Sequence, residues 1–378
     1  MTDNMLGLYI HIPFCRAKCN YCDFVSYTNM EHIIPEYIKM LKKEMEYYKN
    51  YCSGKKIKSV YIGGGTPTML QSAQLKSIME SVYSNFVFCD EMEISIEANP
   101  ESVTKEKLNT LKNIGVNRIS IGLQTDKNHL LKKIGRVHTF GDFKKAFLIA
   151  REEGFENINI DLIFGLPSQT VEHWLETLGN IVDLKPEHIS AYSLEVGRGT
   201  RLYEQYKKGV IKLPKEEKER EMYHLLIEFL TTAEYTHYEL SNFAKQGREC
   251  RHNIIYWENK EYIGMGAASH SYFNKKRYYN TENIKSYINQ LKNELPIKKI
   301  EETTVEQEIS ETIIMNLRLI KGLDKMCFLR RFGVDIKKLY EHEIKQLKEI
   351  GLIKEDKRYI SLTCQGLDLA NEVFIKFI

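Results

Sequence analysis

From residue 57 to about 240, short β-rich runs alternate with longer stretches of helical period. The strand runs are KSVYIGG (58–64), MEISIEA (92–98), NRISIGLQ (117–124), NINIDLIFG (157–165) and HISAYSLE (188–195); LYIHI (8–12) precedes them as a sixth. Helices are expected over 32–50, 71–86, 104–114, 140–153, 170–184 and 215–234. Several strands are apolar on both faces, as strands of a parallel sheet covered by helices must be. Six β–α units in succession predict a parallel sheet with right-handed crossovers, closed partly or fully into an α/β barrel. Such barrels carry their chemistry at the C-terminal ends of the strands. The polar and glycine-rich residues fall there: Gly63–Thr68, Glu97, Gln124, Asp161 and Glu195.

Beyond 240 the pattern changes. Residues 241–280 are rich in Tyr, Asn, His and Gly and lack a clean period; Pro296 and the charged stretch 298–308 read as a linker. Residues 305–378 read as three helices, a short β pair and a closing helix. EHEIKQLKEIGLI (341–353) has the helical period, DKRYISLT (356–363) the character of a strand or wing. Three parts are expected: an α/β barrel over 1–240, an extension over 241–297, and a mainly helical, winged-helix-like domain over 298–378. Winged helices often read DNA, but no basic recognition helix is present, so packing or partner docking is the expected role of this one.

The chain's 378 residues exceed one ordinary core. With 54 basic and 51 acidic residues the net charge is +3, which gives no support for a nucleic-acid surface. Five of eight cysteines (Cys52, Cys89, Cys250, Cys327, Cys364) are scattered singly, unlike a disulfide framework, which fits a reducing compartment. MTDNMLGLYIHI lacks the basic and long apolar regions of a secretion signal, and no run of about eighteen apolar residues occurs. The expected location is the cytoplasm, with no membrane span.

The other three cysteines stand together, in YIHIPFCRAKCNYCDF, as Cys15, Cys19 and Cys22. Three thiolates are one short of a closed tetrahedral zinc site and one short of a four-cysteine iron–sulfur cluster. A cubane on three cysteines keeps one iron open for chemistry. The alternative is structural zinc with His11 as fourth ligand. GGGTPT (63–68) follows a strand at once, and glycines there suit a backbone anion cradle; it is neither GxGxxG nor a P-loop.

The CxxxCxxC spacing with Tyr21 before the third cysteine resembles the radical S-adenosylmethionine (SAM) superfamily. YIHIPFC, GGGTPT, IEANP (96–100), SIGLQ (120–124) and DLIFGLP (161–167) together resemble the oxygen-independent coproporphyrinogen III oxidases and their relatives, the HemW-type heme chaperones. The resemblance runs from about residue 8 into the C-terminal domain. It implies a partial (β/α)6 barrel, with a [4Fe-4S] cluster on Cys15, Cys19 and Cys22. It implies SAM contacts at Tyr9, Tyr21, Gly64, Gly65, Thr66, Glu97, Gln124, Arg136 and Asp161. Glu97 would accept from the SAM ammonium, Arg136 pair its carboxylate, and Gln124 and Asp161 bond its ribose. Asp161 as a helix cap and Arg136 as a surface residue are the structural alternatives.

Within that family the chain departs from the oxidases. They resemble CxxxCxxCxC, whereas Phe24 holds the position of the further cysteine, and their long arm before the cluster compares with fourteen residues before Cys15. RHNIIYW (251–257) resembles the HNxxYW motif of the chaperones. It implies heme as cargo, with His252 offering imidazole to the iron and Tyr256 and Trp257 flat surface to the porphyrin. Arg251 or Arg248 would pair a propionate, and His270 in GMGAASH (264–270) is a second histidine for the same pocket. The structural alternative is a buried aromatic pair around a satisfied histidine. The resemblance implies a chaperone that delivers heme to apo-hemoproteins such as respiratory enzymes, with an unidentified electron donor and at most transient membrane contact. The alternative is decarboxylation of coproporphyrinogen III to protoporphyrinogen IX, an oxidoreductase activity in porphyrin metabolism. No catalytic residue is assigned, and a zinc-stabilised or DNA-binding protein is the third reading.

Overall fold

The computed structural model describes residues 4–378. All six predicted strands form: β1 (Met5–Ile12), β2 (Lys56–Gly64), β3 (Phe88–Ala98), β4 (Arg118–Gln124), β5 (Ile158–Phe164) and β6 (His188–Ser193), paired in that order and parallel throughout. Helices cover them where the apolar period predicts, at Ile34–Tyr51, Ser72–Asn85, Lys105–Asn113, Phe140–Glu152, Val171–Val182 and Glu216–Thr232. The first of these buries Ile34, Tyr37, Ile38, Leu41, Met45 and Tyr48, one stripe at three- and four-residue spacing, against β1 and its neighbours. The short helices Asn128–Lys133 and Arg201–Lys207 lacked a long enough period to be read.

The region after 240 corrects the expectation most. Its short strands extend the same sheet: β7 (Thr236–Glu239) and β8 (Asn242–Ala244) beyond β6, and β9 (Tyr262–Met265), β10 (His270–Phe273), β11 (Lys276–Asn280) and β12 (Ile297–Glu302) beyond β1. The order is β12-β11-β10-β9-β1-β2-β3-β4-β5-β6-β8-β7. β9 runs parallel to β1, and the outermost strands are antiparallel. The sheet stays open, a partial barrel. The expected linker at 298–308 is for its first half the edge strand β12, so the boundary expected at 298 falls inside the sheet. The helix Val305–Leu317 then begins the C-terminal part, which has its own core around Ile313, Leu323, Phe328, Leu347 and Phe377. That core supports a three-stranded sheet, Leu323–Asp324, Ile353–Glu355 and Tyr359–Leu362, in a winged-helix-like arrangement. The closing helix breaks at Leu369.

The C-terminal part clasps the barrel at the helix Arg251–Trp257. Asn259 Nδ2 donates to Thr312 Oγ1 (3.0 Å), Asn316 Nδ2 to the Trp257 carbonyl (3.0 Å), and Arg331 Nη2 to the Asn259 carbonyl (2.9 Å). No helix among the described residues is long and apolar enough to cross a membrane.

Candidate functional site

The C-terminal ends of the strands open into one cavity of about 1120 Å³. Cys15, Cys19 and Cys22 line it, as do Tyr9, Tyr21, Gly64, Gly65, Thr66, Glu97, Gln124, Arg136 and Asp161, together with Glu195. Residues as far apart in sequence as Tyr9 and Glu195 meet there because most sit in the C-terminal halves of the parallel strands or in the loops after them; Arg136 is the exception, arriving after the short helix Asn128–Lys133.

β1 delivers the cysteine loop. Its exit is zipped to the end of β2: Gly65 N donates to the Ile12 carbonyl (2.9 Å) and Thr66 N to the Phe14 carbonyl (2.8 Å). A Cβ on Gly65 would stand 2.6 Å from the Phe14 carbonyl oxygen, so only glycine permits this approach. Gly64 N donates to Glu97 Oε2 (2.9 Å). The amides expected to form an anion cradle are therefore committed to the fold, and the glycine run instead fixes where the cysteines begin. The far side of the loop is pinned by Asn20, whose N–H donates to the Ile134 carbonyl (2.9 Å) and whose carbonyl accepts from Leu202 N (2.8 Å).

All three cysteines are free thiols. Burial pushes the Cys15 and Cys22 thiols up, so a metal must supply the energy of deprotonation. Two thiols have donors aimed at them. Thr66 Oγ1 lies 3.6 Å from Cys15 Sγ and Arg136 Nη1 3.4 Å from Cys19 Sγ. Asn99 joins those donors: its Nδ2 donates to Thr66 Oγ1 (2.9 Å) and its Oδ1 accepts from Arg136 Nη2 (2.6 Å). Among the described residues no three His, Cys, Asp or Glu side chains stand close enough to share one metal ion. The zinc reading also loses its fourth ligand, since His11 Nδ1 lies 2.9 Å from the Tyr9 hydroxyl and Nε2 3.1 Å from the Val25 carbonyl.

Glu97 accepts from Tyr61 Oη (3.0 Å) as well as Gly64 N, and burial, with the Asp161 charge adding to it, pushes its carboxyl up to about 7. Asp161 is held by Ser120 Oγ (2.9 Å) and Asn159 Nδ2 (2.8 Å), leaving it aimed into the cavity rather than capping a helix. Gln124 ends β4 at φ +77°, a backbone position that a non-glycine side chain holds only at a cost. Arg136 is half-buried beneath the loop and held there on three sides, donating to the Gly122 carbonyl (2.7 Å) besides Asn99 and Cys19.

The aromatic motif divides between the cavity wall and the layer behind it. The helix Arg251–Trp257 sits against β2 and β3, its first amides capped by Glu93, which accepts from Arg251 N (3.0 Å) and His252 N (3.3 Å). His252 is 1% exposed and does not line the cavity. Its Nδ1 lies 2.8 Å from Ser59 Oγ and its Nε2 2.7 Å from the Tyr256 hydroxyl, and the ring stacks on Tyr61 at 5.2 Å. Burial pushes its pKa down to about 3. The imidazole is neutral, and each ring nitrogen has a hydrogen-bond partner. Tyr256, Trp257 and His270 do face the cavity. Arg251 is tied to the Glu91 carbonyl (2.6 Å), and neither it nor Arg248 reaches the cavity. His270 is set by the turn before it, where the buried Glu44 accepts from Gly266 N (2.8 Å), Asn280 Nδ2 (2.6 Å) and Tyr287 Oη (2.6 Å). Met315 and Arg318, from the C-terminal part, complete the wall, and Phe24 is 65% exposed on the lining. Asn99, Asn20 and Arg318 escaped the sequence reading. Asn99 and Asn20 lay within quoted motifs, while Arg318 carries no local signal.

Residues 9–181 match the Radical SAM superfamily and residues 303–369 the HemN C-terminal domain. The chain is 40% identical to the heme chaperone HemW of Bacillus subtilis, over 99% of each chain. It is 36% identical to that of Lactococcus lactis, over 98% of this chain and 96% of the other. Its fold is similar to that of the radical SAM enzyme coproporphyrinogen III oxidase (HemN) from Escherichia coli. There the TM-score is 0.86 and the identity 26%, over 98% of this chain and 89% of that one.

Proposed function

The chain belongs to the HemW family of radical SAM proteins, and from that membership we propose that it binds heme and hands it to apo-hemoproteins. The single observation that carries the reading is identity over the whole length, cysteine loop to C-terminal part, with proteins named heme chaperones. Phe24 at the position where the oxidases carry a further cysteine supports it.

Radical SAM membership implies a [4Fe-4S] cluster and SAM. Cys15, Cys19 and Cys22 would hold the cluster, which when bound supplies an iron open to SAM. Arg136 and Thr66 direct N–H and O–H donors at two of the sulfurs, as partners of metal-bound sulfur do. Glu97, Gln124 and Asp161, with Tyr9, Tyr21, Gly64, Gly65 and Thr66, form the SAM side of the cavity. Tyr256 and Trp257 offer flat apolar surface to a porphyrin. Of the two histidines, His270 is assigned to the iron, because its ring faces the cavity while both nitrogens of His252 are occupied. Cytoplasmic residence and respiratory recipients belong to the same reading, and the free thiols agree with a reducing compartment.

The test is anaerobic titration of cluster-loaded protein with heme, then addition of an apo-hemoprotein. A saturable Soret band that moves to the acceptor is expected. No heme uptake, with coproporphyrinogen III consumed and protoporphyrinogen IX formed, overturns the chaperone reading in favour of the oxidase that shares the fold.

A further inference from the structure

The end of the cavity built by the C-terminal part has a charge that the SAM side does not use. Arg318 caps the helix Val305–Leu317 and lines the cavity with its guanidinium over the Trp257 ring, 4.6 Å from the centroid, and Phe374 at 6.0 Å. Both stacked partners carry unmet donors: Arg318 Nε and Trp257 Nε1 are buried and bond nothing. Among the described residues no carboxylate stands within ion-pair distance of Arg318; Glu239 acts on it only from farther off. The other arginine of this end, Arg277, is matched by Glu311 through two bonds of 2.8 and 2.7 Å and a third to Asn259 Oδ1 (2.8 Å). Arg318 is thus the cation at the aromatic end without a direct ion pair; burial lowers its pKa and the Glu239 charge, acting beyond ion-pair distance, offsets part of that.

A planar guanidinium held flat by an indole presents its remaining N–H groups along one edge, the geometry that takes a carboxylate. We propose that Arg318, stacked on Trp257, is the subsite that recognises a propionate of the bound porphyrin. The inference rests on the heme reading and replaces Arg251 and Arg248 in that role. It also gives the C-terminal part a direct share in ligand choice.

Titration with heme and with heme dimethyl ester, whose propionates carry no charge, tests it in wild type, Arg318→Gln and Trp257→Phe. Wild type is expected to bind heme at least about tenfold more tightly than the ester, the scale of one charge-assisted contact. R318Q is expected to bind both alike. W257F keeps the stacking and loses one donor, so it retains part of the preference and guards against misfolding of R318Q. An R318Q protein with the wild-type preference overturns the subsite while leaving the heme reading intact. Failure of wild type to take up heme at all overturns both.

Discussion

The Tyr256 hydroxyl lies 2.7 Å from His252 Nε2, one helical turn away, and closes the ring that the sequence nominates for iron. His252 is therefore a structural residue between β2 and the helix it starts. His252→Ala leaves Ser59 and Tyr256 unpartnered around a void and should cost about 2–4 kcal/mol in chemical unfolding at pH 7. The folded pKa of about 3 lies below the unfolded value, so the neutral ring's contribution is complete above about pH 6.5 and is lost as pH falls toward 3. Wild-type stability should fall over that window more steeply than that of the variant. Parallel curves contradict this account.

His270→Ala should weaken or shift the Soret band of the heme complex without a comparable loss of stability, because the ring is exposed to the cavity. Absorption spectra of H270A and H252A side by side separate the two histidines. An unchanged band in H270A removes it as the ligand.

SAM affinity should rise with pH. Glu97 accepts from an ammonium only when ionised, and with its carboxyl at about 7 the ionised fraction grows about tenfold between pH 6 and 8. Calorimetric titration should show SAM binding about tenfold tighter at pH 8, and a flat profile in Glu97→Gln. A wild-type profile as flat as that of the variant denies Glu97 the contact.

Asn99 joins the donors of two cysteines, so Asn99→Ala should release both Thr66 and Arg136. Iron and sulfide per reconstituted chain should fall, and bleaching in air should run several-fold faster, while the fold, read by unfolding of the cluster-free protein, loses about 1–2 kcal/mol. Wild-type iron content and bleaching rate in N99A rule the role out.

The parallel strands were legible from recurring aliphatic positions such as Ile119, Ile121 and Leu123 of β4, a strand buried at all seven positions although Arg118, Ser120 and Gln124 alternate with them. β12 was not, because IKKIEE is an edge strand with five of six residues exposed, joined to β11 by backbone bonds that leave no trace in side-chain type. The same split runs through the site. Residues in the C-terminal halves of the strands, such as Glu97 and Gln124, and Asp161 in the middle of β5, follow from the barrel's geometry. Arg318 does not, since it reaches the cavity only through the docking of one hydrophobic core on another. The surroundings of His252 were illegible for a third reason: a motif states which residues recur together, and only the structure shows Ser59 and Tyr256 beside its two nitrogens.

The cavity wall is shared between the strand ends and the helix Val305–Leu317, joined by the Asn259–Thr312 and Asn316–Trp257 bonds. Cargo that touches both walls binds the clasped arrangement better than a parted one. By reciprocity, whatever factor the cargo adds to the clasp, an acceptor that loosens the clasp subtracts from the cargo's hold. Release would then need no change at the iron, only a partner able to wedge the C-terminal part from the sheet.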